Sequence, residues 1–172
     1  MSKVFGPPEI LDRAKTETKR LKELTTWKAA FADAVPETPL LVQRRDKTDA
    51  DFYIVSFRGG PGVTARLRMN AHTGEYAEGI GIDEKGDVLK PYYPVDAARQ
   101  RVASMIVTLA KKPKKKSHPV VAAVHPFPIW EPCAQSLSAF LPFYRFKAPG
   151  VEIYFRVDGK IHRGPLTYGA GL

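Results

Sequence analysis

A single cysteine, Cys133, stands near residues that a thiol enzyme would use. In such an enzyme the thiolate attacks the substrate, a histidine accepts the proton, and an amide stabilises the oxyanion. The chain offers His118, His125 and His162 as bases and Gln135 as the amide donor. No nucleophile signature surrounds Cys133, and a lone cysteine among prolines is more often core filler. Thiol catalysis is therefore an alternative, and a non-enzymatic role is favoured.

The charge balance suggests a second kind of chemistry. The chain carries 27 basic against 18 acidic residues, a formal net charge of +9. That excess favours acidic partners such as nucleic acid, and it also keeps a protein in solution. No recognised nucleic-acid motif is present. The candidate phosphate contacts are Lys111, Lys112, Lys114, Lys115, Lys116, Arg66 and Arg68, with Arg145 and Arg156 extending the basic surface on later strands.

A proline-rich stretch, residues 125–138, holds the candidate partner-binding surface. Long irregular loops tend to be functional, and prolines lower the entropy cost of holding one shape. Its aromatic side chains are large and rigid, as at interface hot spots. The competing interpretation is that both rings fill the core between two halves of the chain. The predicted contact set, which includes flanking strand residues, is Phe127, Trp130, Glu131, Cys133, Tyr144 and Arg145.

Metal and disulfide chemistry find little support in the sequence. One cysteine excludes an intramolecular disulfide and is typical of a reducing compartment. The four histidines, His72, His118, His125 and His162, lack metal-ligand spacing. The first ten residues have no signal-peptide core, and no window approaches the roughly 18 apolar residues of a membrane span. We therefore expect a cytoplasmic protein with no metal and no other cofactor.

Two amphipathic stretches predict helices. Residues 9–34 carry a partial apolar stripe anchored by Leu24, Trp27 and Phe31, and residues 95–110 carry a second stripe. Prolines follow both stretches and end them. Since such a stripe must be buried, each helix is expected to cover the strands that follow it.

A hairpin after the first helix organises the rest of the chain. Its strands are predicted over residues 52–58 and 63–70, joined by a Gly/Pro turn. The second strand alternates between apolar and polar residues, which predicts one buried face and one wet face. Arg66 and Arg68 fall on the face expected to be wet.

The second half matches the first when the two are laid over each other. Each has a helix, an apolar strand and a hairpin with a Pro-Gly-Val turn. We therefore expect an α+β fold of two helix-plus-antiparallel-sheet units in tandem, with one helix packed on each sheet. The units would be residues 1–90 and residues 91–172, and the second would contain the inserted loop, residues 125–138.

The first half also resembles a PepSY-type domain. The likeness rests on a helix and strand followed by FYIVSF, a Gly/Pro turn and VTARLRMNAHTGEY, with Asn70, Thr73-Gly74 and Glu75 at the family's motif. It covers residues 9–82 and is weaker over residues 95–167. The resemblance implies a PepSY/cystatin-like fold and a non-catalytic binding or peptidase-inhibiting module. A module of this kind would bind a protein or peptide as an inhibitor or as an accessory, chaperone-like factor.

Overall fold

The structure is a computed structural model of the 172-residue chain. It describes residues 3–60, 62–82, 88–109, 122–125, 127–148 and 150–167, with the backbone alone at 108 and 109. The chain divides into two compact units, residues 1–91 and residues 92–172.

The first unit contains two helices and five strands among its described residues. Its strand order is β2-β3-β4-β5, β1 also pairs with β3, and these pairings are antiparallel. The elements are α1 (Pro7–Lys22), α2 (Thr25–Lys28), β1 (Val35–Pro36), β2 (Leu40–Arg44), β3 (Phe52–Gly59), β4 (Gly62–Asn70) and β5 (Tyr76–Gly81).

The second unit contains one helix and five strands in the part of it that the structure describes. Its strand order is β7-β8-β9-β10, β6 also pairs with β8, and these pairings are antiparallel. The elements are α3 (Val95–Leu109), β6 (Ala122–Ala123), β7 (Ile129–Trp130), β8 (Phe143–Ala148), β9 (Val151–Arg156) and β10 (Ile161–Arg163). No helix within the described residues is long and apolar enough to cross a membrane.

Strands dominate the described residues, where ten strands stand beside three helices. The prediction of two helix-plus-antiparallel-sheet units in tandem, PepSY/cystatin-like with one helix packed on each sheet, is therefore wrong. The architecture is mostly sheet, with few and short helices. The prediction failed because the apolar periodicity of the sequence extends over residues 23–34, where the chain largely forms turns. Periodicity also does not reveal strands as short as β1 and β7, which have two residues each.

The predicted helix over residues 9–34 ends early. α1 begins at Pro7, where a proline costs no helical hydrogen bond, and the Glu9 carboxylate accepts the amide of the preceding cap residue at 2.8 Å. It ends at Lys22, and Leu24 is extended before the four-residue α2. Two threonines follow Leu24, and β-branched residues have low helix propensity. The predictions of a helix over residues 95–110 and of the hairpin strands are confirmed by α3, β3 and β4.

The predicted wet face of β4 is wrong. Thr64 and Arg66 are both buried, and Arg66 is only 4% exposed. Arg66 donates from Nε to the Ser56 hydroxyl at 3.3 Å and from Nη2 to the Lys90 carbonyl. The segment that contains Lys90 lies close enough to satisfy the guanidinium, so the middle of β4 is buried on both faces.

Aromatic packing forms the core of the first unit. The Phe31 ring stacks on Trp27, with centroids 5.4 Å apart, and meets the Phe57 ring edge-on at 5.0 Å. Trp27 lies so close to β5 that a Cβ on Gly79 would fall 2.8 Å from its ring. Glycine at 79 is therefore required by the close approach of Trp27.

The core of the second unit lies between α3 and one face of its sheet. Ala98 and Val102 of the helix are fully buried in a cluster with Tyr144, Phe146 and Phe155. The ring of Tyr93 meets Phe155 edge-on at 5.5 Å. Tyr144 and Phe146 are two residues apart on β8, so both point to the helix side.

We expect Phe31→Ala to destabilise the protein by about 3–5 kcal/mol, because it removes a fully buried ring and leaves a cavity. The matched control is Leu24→Ala, since Leu24 is 48% exposed although the sequence pattern places it on the same stripe. This change should cost less than about 0.5 kcal/mol. Urea unfolding followed by tryptophan fluorescence measures both, and similar losses in the two variants would contradict the packing described for this region.

Candidate functional site

The stretch predicted to recognise a partner is held against the sheet of the second unit. The structure describes residue 125 and residues 127–138, and we call residues 127–138 the anchored loop. The anchored loop includes β7, in which Ile129 pairs with Phe143 of β8. Further along, the backbones of Cys133 and Ser136 form a bridge to each other. The loop therefore has its own hydrogen-bonded structure as well as a pairing to the sheet.

A buried arginine fixes the middle of the anchored loop. The Arg156 guanidinium is paired with the Asp158 carboxylate through two bonds, Nε–Oδ1 at 2.8 Å and Nη2–Oδ2 at 2.7 Å. Its remaining Nη1 donates to the Gln135 carbonyl at 2.6 Å. The hydrogen bond to Asp158 raises the pKa of Arg156, and the bond to Arg156 lowers the pKa of Asp158. Bonds to an ionised donor are stronger than neutral ones, so this carbonyl is firmly placed.

Hydrogen bonds with Thr167 hold the same loop. The Gln135 side chain donates to the Thr167 hydroxyl at 3.1 Å and accepts from the Thr167 amide at 2.9 Å. The Ala134 amide donates to the Thr167 carbonyl at 2.8 Å. These three bonds tie residues far apart in sequence, and they engage both polar atoms of the Gln135 amide.

Two side-chain hydroxyl groups secure the end of the loop and the turn after it. The Ser136 hydroxyl lies 3.0 Å from the Ser138 carbonyl and 2.9 Å from the Leu141 carbonyl. The Tyr92 hydroxyl donates to the Phe140 carbonyl. Since each of these carbonyls would otherwise need another partner once buried, the contacts satisfy the irregular backbone as well as holding it.

An apolar cluster lies beneath the anchored loop. Its buried members are Ile129, Cys133, Phe143, Tyr154 and Leu166. The ring of Phe143 meets Tyr154 edge-on at 6.3 Å. Apolar burial and backbone hydrogen bonding therefore act on the loop together.

A histidine borders this cluster. The His162 ring meets Phe143 edge-on at 5.8 Å, and its Nε2 is buried with no hydrogen-bond partner in the part of the chain that the structure describes. Burial is the main cause that lowers the pKa of His162, and the charges of Arg156 and Lys160 lower it further. Asp158 acts in the opposite direction. The neutral form of the imidazole is therefore favoured in the folded protein.

Most of the predicted partner contacts belong to the protein's own interior. Trp130 is 6% exposed and Cys133 is 2% exposed, and Glu131 and Tyr144 are buried as well. A partner contact through Trp130 requires an exposed ring, so the burial of Trp130 contradicts this part of the predicted contact set. Arg145 lies on the other face of β8 from the helix and pairs with Glu152 at 2.5 Å. The hydrogen bond to Glu152 raises the pKa of Arg145.

Two large apolar side chains of the anchored loop remain open to solvent. Phe127, which the sequence pattern singled out, is 40% exposed, and Leu137, which it missed, is 67% exposed. Leu137 follows the serine whose hydroxyl holds the turn, so its exposure is imposed by a fixed backbone. No sequence signal distinguishes Leu137, since its position depends on the hydrogen bonds of Ser136 and Gln135.

The predicted basic surface is not assembled by the described residues. Arg66 is buried, Arg68 pairs with Glu78 at 2.8 Å and lies over the Phe52 ring, and Arg156 is paired with Asp158. The outward placement expected of Arg66 and Arg156 is therefore wrong. The lysine run, Lys111, Lys112, Lys114, Lys115 and Lys116, lies outside the described residues, as does His118.

The Cys133 thiol and the Gln135 amide, which were considered for thiol chemistry, both have partners within the fold. The Cys133 thiol is buried and lies 3.8 Å from the Ser136 carbonyl, and the Gln135 amide is used by Thr167. His125 is exposed, and His162 lies at the border of the apolar cluster that contains Cys133. No group of three or more His, Cys, Asp or Glu side chains suited to a metal occurs in the described part of the chain.

Comparisons with known proteins add no relative. No family model matches the chain, no curated protein matches it, and no solved structure matches it. The resemblance of residues 9–82 to PepSY-type domains stays a prediction.

We expect Asp158→Asn to lower the free energy of unfolding by about 1–3 kcal/mol, since it leaves the buried Arg156 without its ionised partner. The loss should be accompanied by faster amide hydrogen exchange at residues 134–136. Asp96→Asn is the control, because the Asp96–Arg99 pair is exposed and 3.3 Å long, and such pairs contribute less than about 1 kcal/mol. Equal effects of the two changes, or unchanged exchange in the loop, would contradict the anchoring role of Arg156.

The lowered pKa of His162 predicts a stability that depends on pH. Well above its ordinary value of 6.5 the imidazole is neutral in both states and contributes no pH dependence. As the pH falls below 6.5, the unfolded chain binds a proton that the folded protein resists, so the free energy of unfolding decreases.

Urea unfolding at several pH values between about 7 and 5 tests this dependence, in a range where unfolded histidine titrates. We expect the decrease to be smaller in His162→Phe, which keeps an aromatic ring against Phe143. The exposed His125 offers the control His125→Gln, which should keep the wild-type slope. Parallel slopes for wild type and His162→Phe would show that burial of His162 is not the cause.

Proposed function

We propose that the protein is a non-catalytic module that binds a protein or peptide partner through the anchored loop. The observation that carries this proposal is the combination of a fixed backbone with two apolar side chains, Phe127 and Leu137, displayed to solvent. The partner contact set is thereby revised: Phe127 stays in it, Leu137 enters it, and the buried Trp130 leaves it.

The energetic basis of the proposal is preorganisation. A loop that is ordered only on binding loses conformational entropy at that step, which weakens affinity. The anchored loop is already held by Arg156, by Thr167 and by the apolar cluster beneath it. An exposed apolar side chain on a rigid support can therefore bury its surface in a partner at small further cost.

The buried cysteine and the engaged glutamine amide support a binding role over thiol catalysis. A thiolate nucleophile needs access to substrate, and Cys133 lies in the apolar cluster. The use of a single free cysteine supports placing the protein in a reducing compartment, the cytoplasm. An inhibitory or accessory role is supported only by the resemblance of residues 9–82 to PepSY-type domains.

Affinity capture from the native host with the full chain, followed by titration of the purified captured protein, tests the proposal. We expect the double variant Phe127→Ser, Leu137→Ser to bind that protein at least about tenfold more weakly, since each exposed ring or branched chain contributes on the order of 1 kcal/mol or more when buried. The melting temperature should stay within about 2 °C of the wild type, because neither side chain is in the core.

Two comparisons make the result decisive. Leu24→Ser alters an exposed leucine of the first unit and should leave the affinity unchanged. Trp130→Ala should lower stability by about 3–5 kcal/mol, as expected of a buried ring. A wild-type affinity in the double variant would overturn the proposal, and so would a Trp130→Ala protein of normal stability that binds poorly.

A further inference from the structure

The last strand of the first unit has an edge that no described strand covers. β5 pairs with β4 along one side and ends the strand order of its unit. The Ile82 amide donates to the Thr64 carbonyl at 2.8 Å, and Ile80 and Glu78 face Arg66 and Arg68 in the same register. Since backbone groups alternate along an antiparallel strand, the N–H and C=O groups of the residues between these, Gly79 and Gly81, point away from β4.

The sequence of β5 does not protect this edge. At Gly79 and Gly81 a Cβ would point towards Trp27 on the core side, so these two residues carry no side chain that could cover their outward backbone groups. Natural edge strands are commonly protected by proline, lysine or an inward-pointing charge. β5 reads YAEGIG and contains neither proline nor lysine. Its one charge, Glu78, is paired with Arg68.

A groove of about 760 Å³ adjoins the first residue of β5. α1 forms one wall, and the turn from Gly74 to Tyr76 forms the other. The lining contains three carboxylates, Asp12, Glu17 and Glu75, against two guanidinium groups. The groove is thus slightly acidic in a chain whose net charge is +9.

The pairing inside the groove decides which charge is available to a ligand. Glu17 is bound by Arg20 at 2.5 Å, and Arg13 stacks on the Phe5 ring, 4.6 Å from its centroid. Asp12 is held more loosely, 3.6 Å from Lys15. Glu75 accepts the Thr73 hydroxyl at 3.0 Å and is exposed. Among the described residues, Glu75 is the only one of the three carboxylates without an ion pair. A cationic side chain entering the groove would therefore pair with Glu75, next to the Arg13 side chain that packs against Gly74.

We propose that the edge of β5 and this groove bind an extended peptide segment with a basic side chain by strand addition. The peptide backbone pairs with the outward groups of Gly79 and Gly81, and its lysine or arginine lies in the groove beside Glu75. Antiparallel addition, the more stable pairing, brings the carboxyl end of the peptide beside Tyr76. This site is in the first unit and is separate from the proposed function of the anchored loop.

Fluorescence anisotropy with the full chain and a labelled probe tests the proposal. The probe is a short peptide of alternating threonine and valine with an amidated lysine at its carboxyl end. We expect saturable binding that is about tenfold weaker when the lysine is replaced by glutamate, the effect of losing a charge-assisted bond. Binding should vanish when alternate peptide amides are N-methylated, because strand addition needs them.

Variants and hydrogen exchange locate the binding. Glu75→Lys should weaken the lysine probe by about tenfold, whereas Glu23→Lys makes the same charge change outside the groove and should leave it unchanged. Ala77→Pro should also weaken binding of the lysine probe. Because Ala77 has no partner in the register of β4 and β5, the fold should tolerate this proline. On binding, exchange at the Gly79 and Gly81 amides should slow.

Four outcomes would overturn this proposal without affecting the function proposed for the anchored loop. They are the absence of saturable binding, equal binding of the lysine and glutamate probes, protection at amides other than those of β5, and protection of Gly79 and Gly81 in the free protein through concentration-dependent self-association. The last outcome would assign the edge to a second copy of the chain.

Discussion

A buried guanidinium must be surrounded by acceptors, and this requirement shapes both units. Arg66 and Arg156 each lie on a strand with almost no exposure, and each donates to the backbone carbonyl of a segment outside the strands, at Lys90 and at Gln135. Removing such a charge from water is costly unless its donors are satisfied. The irregular segments are therefore held where they are because the arginines need their carbonyls.

This constraint explains why a loop rich in proline and polar residues is ordered on the surface of the second unit. Arg156 supplies one firm point, the Thr167 backbone supplies a second, and burial of Cys133 and Ile129 supplies a third. Leu137 directly follows this held part of the backbone, Phe127 lies two residues before Ile129, and both side chains are exposed. A fixed apolar surface is the property that a binding module requires.

The edge of β5 in the first unit presents a different kind of surface. The anchored loop offers apolar side chains, whereas β5 offers backbone groups beside a slightly acidic groove. The close approach of Trp27 demands glycine at 79, and Ala30 and Trp27 also lie close to Gly81. Core packing therefore sets the composition of β5, whereas its edge is open because no described strand pairs with it.

The sequence by itself determined the local elements that follow a clear period. The hairpin of β3 and β4, the helix α3 and the start of α1 follow from alternation, from an apolar stripe and from a proline at a helix start. Tertiary structure decided which faces are buried. The polar face of β4 is covered because the Lys90 segment reaches Arg66. Trp130 is buried in the folded chain, and Trp27, which lies in α2, packs against β5. A period reports only the contrast between two faces of one element, whereas burial depends on what the rest of the chain places against each face.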